Sequence, residues 1–203
     1  MSFLIRRIAP AFVLLLCAGH AAAQSSGPYA GVALGATRLE SPGPGFEVGR
    51  APLRSVTLGY ATAGGVFFEA RAATLRERTT ETIPAGQMVE APYTLGLRAT
   101  FVEAAAGWRP ARLRLGPVQP VASVGAGWAR VVDTWESDVP GEGERRTSQP
   151  TLSAGLGLEA ALTPHVALVT CGSWRYVAES AERPSRRIGI EGTAWEVGLQ
   201  LRR

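Results

Sequence analysis

Residues 151–162 read Thr-Leu-Ser-Ala-Gly-Leu-Gly-Leu-Glu-Ala-Ala-Leu, with apolar side chains at every second position. One face carries Leu152, Ala154, Leu156, Leu158 and Ala160, and the other carries Ser153, Gly155, Gly157 and Glu159. Successive side chains of a β-strand point to opposite faces. The alternation therefore predicts a strand with apolar surroundings on one side and small or polar neighbours on the other.

The same period of two recurs along the chain. Segment 29–38 places Ala30, Val32, Leu34 and Ala36 on one face, against Gly31, Ala33, Gly35 and Thr37. Six more segments alternate alike, near 53–62, 65–76, 92–109, 117–131, 164–177 and 192–202. Eight strands are therefore predicted.

The connections between these strands alternate in length. Segments 62–65, 109–116 and 162–165 are short or moderate in length, whereas those near 39–52, 77–91, 132–150 and 178–191 are long and polar. Short periplasmic turns and long outer loops are typical of membrane barrels. We expect an all-β fold, an eight-stranded antiparallel up-and-down transmembrane β-barrel with both ends on the periplasmic side.

The first residues have the features of an export signal. Arg6 and Arg7 precede the apolar residues 8–18, and Ala21-Ala22-Ala23 forms a small-residue cleavage pattern. The apolar run is too short for a transmembrane helix. We expect residues 1–23 to be a cleavable secretory signal peptide and residues 24–203 to form the barrel domain, exported to the cell outer membrane of a Gram-negative envelope.

Charge and cysteine content argue against two features, a nucleic-acid partner and an intramolecular disulfide. Without residues 1–23 the chain keeps 19 arginines against 17 acidic residues, and the acids are interleaved with the arginines. No basic stripe with aromatic residues is present, so we expect no nucleic-acid partner. Cys171 is the single cysteine of the mature chain, which excludes an intramolecular disulfide.

Aromatic residues flank the predicted strands and are expected to form two membrane-interface girdles. The periplasmic girdle would contain Tyr29, Tyr60, Phe68 and Trp108, and the outer girdle Tyr93, Trp128, Trp174, Tyr176 and Trp195.

Two runs of sequence carry a family resemblance. The run from Gly155-Leu156-Gly157-Leu158-Glu159 through Leu162-Thr163-Pro164-His165 to Trp174-Arg175-Tyr176 resembles the sixth strand, turn and seventh strand of the small outer-membrane β-barrel family. Leu115-Gly116-Pro117, Pro120 and residues 123–128 are similar to its fifth strand. That family includes the transmembrane domain of outer-membrane protein A and the opacity-type surface proteins. The resemblance implies the fold rather than an activity. The chain departs from the family at its end, because it finishes on Leu201-Arg202-Arg203 where the family usually has an aromatic last residue.

A barrel of eight strands is filled by its own side chains. The charged residues expected inside are Glu69, Arg71, Arg98, Glu103, Glu159, Arg175 and Glu196. A structural network of paired charges is favoured over a proton or ion path, because buried charges persist when they are paired. If strands seven and eight form a hairpin with Tyr176 opposite Trp195, Arg175 and Glu196 meet inside the barrel.

The fourth strand changes its alternation. Tyr93, Leu95, Leu97, Ala99 and Phe101 share one parity, and Val102, Ala104, Ala106 and Trp108 share the other. A β-bulge near Phe101 and Val102 would restore a single lipid-facing stripe and keep Glu103 inside.

Catalytic and metal sites are not predicted. His165, the single histidine of the mature chain, lies in the short turn 162–165, and Ser173 has no second histidine near it in the pattern. One histidine and one cysteine give no metal-ligand spacing. The acids of segment 132–150 lack a calcium-loop pattern, and Arg183, Arg186 and Arg187 form a charged outer loop that could touch anionic lipid headgroups.

These observations predict a non-catalytic outer-membrane barrel with a structural or surface-interaction role and no cofactor. Its expected partners are outer-membrane lipids and lipopolysaccharide, the barrel-assembly machinery and an external ligand at the long loops. Two alternatives remain open, a lipid-modifying outer-membrane enzyme and a soluble lipocalin-like carrier barrel.

Overall fold

The computed structural model describes residues 26–40, 47–82, 92–137, 143–178 and 190–203. The described residues form eight strands, as the period of two predicts: β1 Gly27–Glu40, β2 Glu47–Ala61, β3 Val66–Thr82, β4 Pro92–Trp108, β5 Val118–Ser137, β6 Gly143–Ala161, β7 Val166–Val177 and β8 Ile190–Arg202. A single 3-10 turn, Ala111–Leu113, lies between β4 and β5 in this part of the chain. Within these ranges no helix has the length and apolar character needed to cross a membrane.

The strands close into an antiparallel barrel in chain order, with β1 paired to β8. Following paired residues around the wall from Tyr29 leads back to β1 at Leu39, ten residues further along the strand. An offset of this size in eight strands tilts each of them by about 40° and leaves an interior only as wide as its side chains. The predicted fold class is confirmed.

The two ends of the barrel differ in their connections. Residues 62–65, 109–117 and 162–165 connect strands at the end where β1 begins and β8 ends, and we call this the periplasmic end. Gly65 and Gly116 take positive φ angles of 82° and 60° in two of these turns, a conformation that favours glycine. The opposite end, which carries the remaining connections, is called the outer end.

The strands reach further towards the outer end than the sequence pattern indicates. The segment expected as a loop at 132–150 is largely strand, because β5 continues to Ser137 and β6 begins at Gly143. β1, β2 and β3 likewise extend into the expected loops 39–52 and 77–91. Backbone pairing continues where the outward residues become polar, so the end of the apolar pattern is not the end of the strand.

The predicted bulge in β4 is wrong. β4 pairs with β3 and with β5 in unbroken register from Pro92 to Trp108. Leu97, Ala99, Phe101 and Glu103 all point inward. The parity of apolar residues changes along β4 because the outer half of the lumen is itself apolar, and no bulge is needed. The register shift that the structure does contain lies between Arg38 and Leu39, in the pairing of β1 with β2.

Candidate functional site

The lumen contains most of the charged residues that the sequence analysis placed there. Glu69, Glu103, Glu159, Arg175 and Glu196 are buried on the inner face, and Arg71 is nearly so. Arg98 does not belong to this set. It lies on the outward parity of β4 and its side chain is exposed, since the alternation runs through β4 without the bulge.

Glu159 is the centre of the charge cluster nearest the periplasmic end. The residue is 1% exposed, and its carboxylate forms salt bridges with Arg109, at 3.0 Å, and with Arg202. Gln119 donates a hydrogen bond to the same carboxylate, and Arg109 and Arg202 each donate to Gln200 at 3.3 Å. A carboxylate with two guanidinium partners and an amide donor has the pairing that burial requires.

Tyr29 joins this cluster and is not part of the membrane interface. It shares the inward parity of Gly31, and its hydroxyl donates a 3.0 Å hydrogen bond to Glu69. The carboxylate of Glu69 also pairs with Arg71. The guanidinium of Arg109 lies 5.0 Å from the centre of the Tyr29 ring, in cation–π contact. The assignment of Tyr29 to the periplasmic girdle is therefore wrong. Tyr29 lies near the periplasmic end of β1, as expected, but its side chain points into the lumen.

Another ion pair lies further towards the outer end. Arg175 on β7 donates two hydrogen bonds, of 2.9 and 3.1 Å, to the two carboxylate oxygens of Glu103 on β4. Its guanidinium also lies 4.4 Å from the ring centre of Phe101. β4 and β7 are not neighbours in the wall, so this bidentate pair spans the lumen. Both side chains are at least 95% buried, which makes the pair costly to break.

The expected meeting of Arg175 with Glu196 is wrong. In the pairing of β7 with β8, Arg175 faces Gly192 and Glu196 faces Cys171. The expected pairing of Tyr176 with Trp195 fails for the same reason, because Trp195 faces Gly172. The register is offset by four residues from the one that the aromatic residues suggested.

Glu196 instead accepts a 2.6 Å hydrogen bond from the hydroxyl of Ser55. It lines a cavity of about 70 Å³ together with Glu69, Arg71 and Cys171. The cavity is large enough for water and too small for an organic ligand.

An apolar layer closes the lumen on the outer side of these charges. We call it the apolar plug, and it consists of Ala51, Leu53, Ala73, Leu75, Leu97, Ala99, Phe101, Ala129, Val131, Val177 and Ala194. On β3 and β4 its members lie on the outer side of Arg71 and Glu103 respectively. Phe101 and Ala99 have no exposed surface, so the plug is closely packed at these two residues.

The outer wall is apolar and bounded by aromatic residues. Leu34, Leu58 and Leu156 point outward and are 67–73% exposed. Six of the expected interface aromatics point outward, three towards the periplasmic end (Tyr60, Phe68 and Trp108) and three in the outer half (Trp128, Trp174 and Trp195). Tyr176 also lies on the outward face, stacked on Trp174 at 6.2 Å. The side chain of Tyr93 lies outside the described residues.

Polar residues follow beyond this apolar wall at the outer end. Glu144 and Arg146, next to each other on the outward face of β6, form an exposed salt bridge. The hydrogen bond from Arg146 lowers the pKa of Glu144, and that carboxylate raises the pKa of Arg146. Arg183, Arg186 and Arg187 lie outside the described residues.

The described residues offer little for catalysis or metal binding. They contain no group of three or more His, Cys, Asp or Glu side chains placed to hold a metal ion. His165 is exposed in its turn at the periplasmic end, whereas Ser173 is buried in the lumen. A serine nucleophile needs a base within hydrogen-bond reach, and this geometry keeps the two residues apart.

Sequence reasoning missed two arginines of the lumen. Arg109 follows the last residue of β4, and Arg202 is the last residue of β8. Continuing the period of two from Glu103 to Arg109 and from Glu196 to Arg202 places both on the inner face. With them, the four glutamates named above are matched by four arginines in the described lumen below the plug.

A closed eight-stranded barrel with an apolar wall, aromatic residues near both ends and a packed lumen has the architecture of small outer-membrane barrels. The sequence bears this out, because residues 8–202 match the family described as outer membrane protein beta-barrel domain. The chain belongs to that family and is an outer-membrane β-barrel. No curated protein matches the sequence.

Solved structures show the same fold at low sequence identity. Neisserial surface protein A is 15% identical with a TM-score of 0.58, covering 88% of this chain and 98% of its own. A major outer membrane protein from Thermus thermophilus is 12% identical with the same TM-score, covering 87% of this chain and 99% of its own. Ail, the attachment invasion locus protein of Yersinia pestis, is 15% identical with a TM-score of 0.55, covering 88% of this chain and 100% of its own.

Proposed function

We propose that this protein is a non-catalytic, non-conducting barrel that anchors an interaction surface at the outer face of the outer membrane. The observation that carries the proposal is the filled lumen, in which paired charges occupy the periplasmic side and the apolar plug lies beyond them. Such an interior serves stability rather than transport. The outer wall and the outer end are then the parts of the barrel that remain available for interactions.

A lipid-modifying enzyme is the first alternative. His165, the histidine that such an enzyme would use as base, lies at the periplasmic end, away from outer-leaflet lipid. Deleting the gene should leave the mass of lipopolysaccharide unchanged, as measured by mass spectrometry of the purified lipid. A mass difference that the intact gene restores would contradict the non-catalytic proposal.

A soluble carrier barrel is the second alternative. It would need a ligand cavity of about 300 Å³ or more, and the lumen cavity around Glu196 holds about 70 Å³. The protein should sediment with outer membranes, require detergent for extraction and migrate faster on a denaturing gel when unheated. Recovery in the soluble fraction without detergent would contradict the membrane placement.

The proposed orientation puts the long connections outside the cell. A protease site inserted at Gly141, which lies outside the described residues, should be cleaved on intact cells. The same site inserted at Gly64, in the turn between β2 and β3, should be cleaved only after the outer membrane is permeabilised. Cleavage at Gly64 alone on intact cells would invert the orientation.

Residues 1–23, outside the described ranges, are proposed to be the cleavable signal peptide, and the barrel-assembly machinery is proposed to insert the mature chain. N-terminal sequencing of the protein from membranes should begin at Gln24. A protein that retains Met1 would contradict the assignment.

A further inference from the structure

The pairing of β1 with β8 joins the two ends of the barrel wall, and we call it the seam. It begins at the periplasmic end with Tyr29 opposite Arg202 and ends with Glu40 opposite Glu191. Every other pair of neighbouring strands is consecutive in the chain. The seam therefore closes the longest loop and loses the most chain entropy. Contacts that bring β1 and β8 together have more to offset than those of any other pair.

The inner face of the seam has few large side chains that could do so. Its inward residues are mostly small, namely Gly31, Ala33 and Gly35 on β1 with Ala194 and Gly198 on β8. The outward apolar side chains contact lipid whether or not the strands are paired, so their burial does not favour one register. Large inward side chains lie at the periplasmic end of the seam, where Tyr29, Gln200 and Arg202 come together.

Arg109 reaches both strands of the seam from the opposite wall. It follows the last residue of β4, and in a barrel closed in chain order the β4–β5 junction lies opposite the β8–β1 junction. Its guanidinium lies 5.0 Å from the centre of the Tyr29 ring on β1 and donates a 3.3 Å hydrogen bond to Gln200 on β8. One side chain thus contacts the first strand and the last strand at once.

Arg109 is held in place by strands other than β1 and β8. Its Nε lies 3.0 Å from the carboxylate of Glu159 on β6, and its guanidinium lies 4.5 Å from the ring centre of Phe67 on β3. Its backbone N–H donates a 2.8 Å hydrogen bond to the carbonyl oxygen of Gly65, in the turn between β2 and β3. Strands β3 to β6 are consecutive, so these contacts can form before the seam does. A side chain that is already ordered loses less entropy when it binds the seam.

The contacts of Arg109 also specify the register of the seam. A slip of one residue would turn Gln200 towards lipid, since neighbouring side chains of a strand point to opposite faces. A slip of two residues would keep Gln200 inside but move it roughly 7 Å relative to Tyr29, beyond the reach of the same hydrogen bond. Arg109 can therefore contact both residues only when β1 and β8 are paired in the native register.

We propose that Arg109 guides the closure of the barrel. Its contacts with Tyr29 and Gln200 bring β1 and β8 together in register, and the seam forms from the periplasmic end. Arg109 is in this sense a positioning residue, which acts while the barrel closes as well as in the closed barrel. The inference rests on the fold and is independent of the proposed role of the outer surface.

The test uses two disulfides that share one cysteine. Ala30 faces Leu201 across the seam and Leu58 across the pairing of β1 with β2. In a Cys171→Ser background, Ala30→Cys/Leu201→Cys therefore reports closure of the seam, and Ala30→Cys/Leu58→Cys reports the first hairpin. The urea-unfolded protein is folded into lipid vesicles, treated with short pulses of oxidant at intervals and analysed on non-reducing gels.

Arg109→Gln should slow formation of the seam disulfide about tenfold, the loss expected when a hydrogen bond from a charged group is removed. The hairpin disulfide should form at the unaltered rate. Glu159 keeps Arg202 as its partner in this variant, so its buried carboxylate is not left unpaired. Arg109→Lys keeps the charge but not the planar guanidinium, should show a smaller loss, and replaces the glutamine variant if that variant does not fold.

Two matched controls separate closure from general stability. Arg112→Gln removes a charge from an exposed site in the same turn as Arg109. Ser55→Ala removes a 2.6 Å hydrogen bond to Glu196 that crosses the seam nearer the outer end. Both variants should form the seam disulfide at the unaltered rate, because neither change affects the periplasmic end of the seam.

Three results would overturn the inference. They are an unchanged rate of seam formation in Arg109→Gln, an equal slowing of the hairpin disulfide, and an equal slowing in either control. An Arg109→Gln barrel that unfolds faster but closes at the unaltered rate gives the first of these results. Arg109 would then stabilise the closed barrel without guiding its closure.

Discussion

At the scale of the residue, salt bridges between side chains on strands that are not neighbours stabilise the barrel interior. Arg175 donates two hydrogen bonds to Glu103, which lies on a strand that is not its neighbour in the wall. Replacing either residue with glutamine leaves the other charge buried without its partner, at a cost of about 3–5 kcal/mol. Urea unfolding of Glu103→Gln and Arg175→Gln in lipid vesicles should show losses of this size, and the double variant should recover part of them. Strict additivity of the two losses would mean that the side chains do not meet.

The close packing around Gly107 gives a second prediction for a single residue. A Cβ at Gly107 would overlap the Phe67 ring, which packs against this position inside the barrel, and the carbonyl oxygen of Ala122. Gly107→Ala should lower the free energy of unfolding by about 1–3 kcal/mol, the usual cost of overpacking. Gly64→Ala is the matched control, since its Cβ meets no atom closer than 3.9 Å in an exposed turn. Equal stability of the two variants would contradict the packing described here.

At the scale of the strand, the register of β7 and β8 is open to a direct test. Glu196 faces Cys171 across the sheet, on the inner face. Glu196→Cys should therefore form a disulfide with Cys171 under mild oxidation, because directly opposed Cβ atoms lie within reach of one. Gln200→Cys, the position opposite Cys171 in the register that pairs Arg175 with Glu196, should stay reduced. The reverse outcome on a non-reducing gel would restore that register.

The alternation of apolar and polar residues along a strand predicts which face points outward when lipid lies on one side and a polar lumen on the other. β6 meets this condition, so Leu156 is outside and Glu159 inside, as its sequence indicates. β4 does not, because the apolar plug makes its inner face apolar at Leu97 and Phe101. Hydrophobicity alone then cannot tell the inner face from the outer one, which is why Arg98 was misplaced.

Contacts between strands are beyond the reach of such patterns. The pairing of Arg175 with Glu103 depends on the offset of all the strands between β4 and β7, and no single strand contains that information. Tyr29 is a different case, since the alternation along β1 already places it on the inward face of Gly31, and only its aromatic character suggested the membrane interface. The eight strands and their closure were predictable because the periodicity and the alternating connections repeat along the whole chain.

The whole molecule is a barrel whose interior is filled, which leaves its wall and its outer end exposed. The charge pairs and the apolar plug occupy successive levels of one narrow lumen. We propose that both layers block passage, since ions cannot cross the apolar layer without losing their hydration. We propose that a protein of this kind acts through its wall and its outer end.

The most direct test of the filled lumen is single-channel recording of the purified, heat-modifiable protein in planar lipid bilayers. Eight strands enclose a lumen that side chains fill, and here Phe101, Leu53 and the Glu103–Arg175 pair fill it. We predict no stable conductance steps at any protein concentration that gives inserted barrels. A reproducible, porin-sized conductance would contradict it.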